Sequence, residues 1–241
     1  LAVFATLVFS VSGCRGESAA DKELPSKFRR LVPLHAPLGR PRSGDWLAHH
    51  DEQGQTFRQY VRGNPIRPDA KRRIIYIQPL GEFDAKRTEI LEATAEFLEI
   101  YFGLEVRTLP VQALTDVPAE ARRVHPQWKD KQIMTSYLLY DVLKPRLPLD
   151  AVAMIGLTTS DLWPGEGWNF VFGQATLVER VGVWSIYRFG DPNESEEAFR
   201  LALLRTIRVA SHELGHQFSM QHCVFFECNM CGSNSMAESD R

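Results

Sequence analysis

Residues 211–230 read SHELGHQFSMQHCVFFECNM, with His212 and His216 four residues apart and His222 six residues further on. On a helix, positions i and i+4 lie one turn apart on the same face, so two imidazoles can reach one cation. Glu213 stands beside the first of them, where its carboxylate can hold an attacking water without entering the coordination shell. A third imidazole from His222 completes a three-ligand Zn²⁺ set with the fourth position open, as a catalytic zinc requires. The reaction this predicts is hydrolysis, with Glu213 as the proton carrier.

His222 imposes a geometric demand. A helix continued through it would swing its ring away from the face shared by His212 and His216. The chain is therefore expected to leave the helix between Gln217 and Met220 and fold back. The spacing is similar to the metzincin pattern H-E-x-x-H-x-x-G-x-x-H, in which Gly takes a left-handed turn at the break. Ser219 stands at that position here, and a left-handed Ser costs ~1 kcal/mol. A lone H-E-x-x-H also arises by chance on surface helices; the third His at this spacing argues against that reading.

Cys223 follows His222 directly, Cys228 comes five positions later and Met230 two after that. The string H-E-x-x-H-x5-H-C-x4-C-x-M, with CGSNSMAESDR after it, resembles the archaemetzincin family of zinc metallopeptidases. The resemblance covers about residues 70–241. It implies a catalytic zinc on the three His and a second, structural zinc on four Cys, with Cys223 and Cys228 among its ligands. It also implies that Met230 is the methionine of the turn beneath the active site. The downstream C-x-x-C of that set is not among these residues. Cys231 makes a local C-x-x-C with Cys228, leaving both an added ligand and a disulfide open.

Of the 241 residues, 44% are hydrophobic and 24% charged, as in one ordinary globular domain with an extension. A net charge of -2 gives no electrostatic case for nucleic acid. The clusters at Lys27–Arg30 and Lys71–Arg73 are short and read as solvated faces. Residues 1–13, LAVFATLVFSVSG, are too short an apolar run to span a bilayer, and they end at Cys14. Val11-Ser12-Gly13-Cys14 looks like the lipobox of a bacterial lipoprotein signal, which implies lipidation at Cys14. The expected organisation is a partial signal peptide over 1–14, then a linker and irregular segment over 15–68. A catalytic domain follows over 69–241, truncated at its C-terminus. The expected location is exported and membrane-anchored through lipid alone, facing the periplasm or cell surface, or cytoplasmic if the N-terminal reading fails. A monomer acting on a peptide or protein substrate is expected.

Pro and Gly punctuate the chain up to Pro68, with a short helix at DWLAHH (45–50) and His49 and His50 at the surface. Ile74–Gln78 and Ala151–Leu157 read as buried strands. Residues 84–102 carry apolar positions at helical spacing and stop at Gly103, and Leu104–Leu109 follows as a strand, giving a parallel pair with a right-handed crossover. A helix is expected over Trp128–Leu143 and a loop over Thr158–Trp168. Strands are expected over Asn169–Leu177 and Val181–Phe189. The last helix is expected to start at an Asp191 N-cap with Pro192 at N1 and to bury a stripe at 199, 203, 207, 210, 214 and 218. These elements predict an α+β (mixed α/β), metzincin-like zincin domain. A twisted, mostly parallel five-stranded sheet packs on the long active-site helix, with a cleft above it. By resemblance, Phe172, Gly173, Gln174 and Ala175 form a rim that receives extended peptide. The rival reading is a zinc-binding lipoprotein whose site is catalytically inert.

Overall fold

The computed structural model describes residues 30–241; Cys14 and the expected signal segment lie outside the described residues. The centre of the fold is a five-stranded sheet of order β2-β1-β5-β8-β7. Its strands are β1 (Ile74–Leu80), β2 (Val106–Thr108), β5 (Ala151–Thr158), β7 (Gly173–Ala175) and β8 (Val181–Ser185). All neighbours run parallel except β7, which pairs antiparallel with β8 at one edge. Every residue of β1, β5 and β8 is buried, because helices cover both faces of the sheet.

The two faces follow the strand alternation. Ile75, Ile77, Ile155 and Leu157 point to one core, shared with α3 (Ala85–Phe102) and α5 (Glu196–Gln217). Tyr76, Leu80, Met154 and Val183 point to the other, against Leu138, Leu139, Val142 and Leu143 of α4. Helix α4 spans 135–143, its first turn α and its remainder, Leu138–Leu143, wound as π. The α3 helix is capped by Asp84 and ends at Gly103, whose φ of 63° is the left-handed stop that its sequence predicts.

Five expected elements differ. The helix over Trp128–Leu143 begins only at Thr135. Lys129 takes φ 64°, which no α-helix passes through, and Lys131–Met134 forms β4 instead. Strand β4 pairs with β3 (Arg122–Val124) and with β6 (Asp161–Trp163), the latter inside the expected loop, making a second sheet of order β3-β4-β6. The strand over Asn169–Leu177 shortens to β7, because the segment changes partners along its length. Val171 bridges to Leu162 of the small sheet, and only Gly173–Ala175 joins the large one. The last helix starts later than Asp191. Asp191 accepts from the Asn193 N–H in a turn, and Ser195 is the N-cap, its hydroxyl accepting from Ala198 N at 3.0 Å. The Val181–Phe189 strand likewise stops at Ser185 and gives way to a short 3₁₀ turn, Tyr187–Phe189.

Residues 30–68 carry α1 (Trp46–His49) and α2 (Phe57–Arg62) and lie as a strap across the C-terminal loop. Leu38 N donates to Phe225 O, Glu227 N to Ala36 O, and Arg241 meets Asp45 at 2.6 Å. The loop ends in a short helix, α6 (Met236–Ser239). Among the described residues no helix is long and apolar enough to cross a membrane. The sheet carries the core, so Ile155→Ala, at a fully buried position of the central strand, is expected to cost ~3 kcal/mol in chemical denaturation.

Candidate metal centre

Helix α5 is 22 residues long, a strut of about 33 Å that runs under the sheet edge and ends at Gln217. Phe199, Ala210, Leu214 and Phe218 of the expected stripe are buried, but Leu203 and Ile207 are only half-buried and the buried face widens to Ala202, Thr206, Val209 and Glu213. The wider buried face takes in Glu213, and His212 and His216 flank it on the cleft side.

The strut stops in a Schellman motif. Met220 N donates to Gly215 O at 3.0 Å and Ser219 N to His216 O at 2.7 Å. Ser219 takes φ 69°, the left-handed conformation that Gly favours. Its side chain offsets the cost: Oγ donates to Leu177 O at 2.7 Å and accepts from Ile66 N at 3.1 Å. Ser219 thereby ties the end of the helix to the chain after β7 and to the strap. Glycine could not make those two bonds.

Beyond the turn His222 comes back over the helix. Its ring lies 5.3 Å from that of His212 and 4.9 Å from that of His216, centroid to centroid. One ring nitrogen from each of the three lies within 4.8 Å of the others. Each Nδ1 is occupied on the outside. His212 donates to Asn229 O and His216 to Met220 O, both at 2.7 Å, and His222 meets Glu52 Oε1 at 2.8 Å. With Nδ1 protonated, each Nε2 keeps a lone pair for the common focus. Burial pulls His212 down to about 3 and His216 to about 4, so both are neutral near pH 7. Their Nε2 atoms are 3.0 Å apart. Two lone pairs at that separation repel unless a cation lies between them, and three imidazole donors suit Zn²⁺.

Glu213 is buried beneath the focus, and its Oε2 has no hydrogen-bond partner. Burial alone pushes its carboxyl up to about 8. Strand β7 closes over it: a Cβ on Gly173 would sit 2.5 Å from Glu213 Oε1, so a larger residue there would displace the Glu213 side chain. Below, Gly215 touches Met230, whose thioether a Cβ would strike. A cleft of about 680 Å³ opens over these groups, with Phe172, Gly173, Gln174 and Ala175 on one wall and Trp168 and Trp46 further along.

The cysteines sit beside this floor. Cys223, Cys228 and Cys231 are free thiols. They hydrogen-bond to one another, which pulls Cys223 down and pushes Cys228 and Cys231 up, so the trio favours a single thiolate. The groups that sequence reasoning missed are Glu52, Trp46 and the outer carbonyls of Asn229 and Met220. Glu52 lies 170 positions from His222, and no spacing rule connects them. His50, expected at the surface, is half-buried and stacked on Trp46 at 3.7 Å between ring centroids.

Two outcomes follow from this geometry. Ser219→Ala keeps the left-handed backbone but loses both Oγ bonds, so it is expected to destabilise by ~1–2 kcal/mol, and Ser219→Gly by less, in denaturant titrations. In the metal-free protein, the folded Glu213 carboxyl ionises near 8 and the unfolded one at an ordinary 4.5. Its contribution is therefore fully present below that ordinary value and is lost as pH rises toward 8. Unfolding free energies of the chelated Glu213→Gln variant are expected to gain on the parent by up to ~4 kcal/mol between about pH 5 and about pH 9.

The model of Peptidase family M54 matches residues 89–241. Archaemetzincin-2 from Macaca fascicularis is 33% identical over 93% of this chain and 71% of its own length. Archaemetzincin from Pyrococcus abyssi is 28% identical, over 69% of this chain and 86% of its own. The crystal structure of archaemetzincin from Methanopyrus kandleri superposes with a TM-score of 0.55 at 29% identity, covering 72% of this chain and 88% of that one. A zinc-dependent peptidase from Methanocorpusculum labreanum shares the fold at 18% identity and a TM-score of 0.52. These likenesses place the chain in Peptidase family M54, the archaemetzincins, as a zinc metallopeptidase acting on peptides or proteins.

Proposed function

We propose that this chain cleaves peptide bonds at the focus of His212, His216 and His222, with Glu213 moving the proton. The observation that carries the reading is the arrangement of the three rings. Each donates outward through Nδ1 and turns Nε2 inward to one point. His212, His216 and His222 would hold zinc through their Nε2 atoms, and the metal would supply Lewis acidity and lower the pKa of water toward ~7.

The remaining work falls to the chain's own groups. Glu213 accepts a proton from the attacking water at a carboxylate oxygen and delivers it to the leaving amine nitrogen. A cation held by the three imidazoles would favour the ionised carboxylate, against the burial that raises its pKa. Strand β7 is the edge of the large sheet, so an extended substrate can pair with the free side of Gly173–Ala175 beside Glu213. Phe172 and Gln174 flank that edge as side-chain contacts. Met230, packed on Gly215, supports the turn of the helix that carries both first ligands. We read Cys223 and Cys228, joined by Cys231, as thiols for a second, structural zinc; their free and mutually hydrogen-bonded state supports this.

Glu213→Gln is expected to keep zinc and lose hydrolysis of a fluorogenic peptide library by a factor of roughly 10²–10⁴. His216→Ala is expected to lose the metal as well. Zinc uptake by the parent chain with no cleavage anywhere in the library would favour the inert scaffold instead. Undiminished turnover by Glu213→Gln would overturn the role given to that carboxylate.

A further inference from the structure

His222 is the one imidazole of the three that is not carried on a helix. His212 and His216 ride on α5, and their outer nitrogens are held by backbone carbonyls. His222 stands in the irregular segment after the Ser219 turn, and its ring is held by the strap. Glu52 takes its Nδ1 with both oxygens, Oε1 at 2.8 Å and Oε2 at 3.1 Å. The same Oε1 accepts the Trp46 indole N–H at 2.9 Å. Trp46 also meets the His222 ring at 5.3 Å and 82°, an edge contact that stops the imidazole from tilting. Gln55, three residues on, accepts from Gln221 N at 3.2 Å and so holds the backbone next to His222. All these groups come from before residue 89, where the family match begins.

We propose that Glu52 is the positioning residue of the third zinc ligand, and that the strap is thereby part of the metal centre. The inference rests on the reading of the three imidazoles as ligands. The carboxylate fixes the tautomer with its proton on Nδ1, turns Nε2 to the focus, and makes the imidazole a stronger donor through its negative charge. Trp46 holds Glu52 in turn, leaving Oε1 with two donors and one orientation. A backbone carbonyl does this for the other two rings because their helix already fixes them. A loop histidine needs an anchor from elsewhere in the fold.

A merely structural role would instead act by docking the strap, and that docking has contacts of its own, including the Asp45–Arg241 bridge at 2.6 Å. The test measures zinc affinity of the full chain by competition with a chromophoric chelator, beside circular dichroism of the metal-free protein. Glu52→Ala is expected to weaken zinc binding roughly 10–100-fold with the dichroism unchanged. Glu52→Gln, which keeps an acceptor oxygen and loses the charge, is expected to fall between it and the parent, and Asp45→Asn to match the parent. Unchanged affinity in Glu52→Ala overturns the proposal, as does an equal loss in Asp45→Asn. If Glu52→Ala fails to fold, Glu52→Gln decides by the same criterion. A His212→Ala variant that binds zinc as the parent does would show that the ligand reading itself is at fault, separately from Glu52.

Discussion

The left-handed turn at Ser219 is the constraint on which the site depends. A helix can align two imidazoles but not a third six residues later, so the strut must be cut one residue past its cap and the chain sent back over it. Glycine would satisfy the backbone and nothing more. Serine accepts the steric cost and uses its hydroxyl to bind Leu177 O and the Ile66 amide, so the same residue that ends the helix also sets where its neighbours lie. His222 reaches the focus because this corner is held from both sides.

The floor of the cleft carries two opposed electrostatic demands. Burial keeps His212 and His216 neutral, the form in which imidazole donates to a metal, and the same burial resists the negative charge that Glu213 would carry in the proposed role of base. A cation at the proposed focus would reconcile them, taking up the facing lone pairs and favouring the carboxylate in the same dry region. Gly173 and Gly215 show how tightly the region is built, since a methyl group at either would strike Glu213 or Met230. The C-terminal loop that carries Met230 and the cysteines has little regular structure. It is held by side-chain contacts such as Arg205 to Asp240 at 2.6 Å and Trp46 N to Glu238 at 2.9 Å.

The parts of the fold legible in the sequence are those whose signals are local. Apolar β-branched runs marked β1 and β5, and Gly103 marked the end of α3. The misread parts turn on partners. Trp128–Leu143 has apolar residues at helical spacing, yet Gln132 pairs with Asp161 across β4 and β6, and the left-handed Lys129 blocks a helix. Asp191-Pro192 has the composition of a helix start, but Asp191 is spent on its own turn and Ser195 caps the helix. The 169–177 run is divided between two sheets, a division no periodicity records.

The sequence by itself determined the ingredients of the candidate site: two histidines one helical turn apart, a glutamate between them, a third histidine at a spacing that demands a bend, and the cysteines and methionine that follow. Those are properties of residue identity and short separations, which α-helical geometry converts directly into proximity. Only the tertiary structure decided what surrounds them. Glu52 and Trp46 behind His222, Gly173 over Glu213 and the hydroxyl bonds of Ser219 all join residues roughly 40 to 170 positions apart. Such contacts arise when separate elements pack against one another, and no local pattern along the chain encodes which distant residue will arrive.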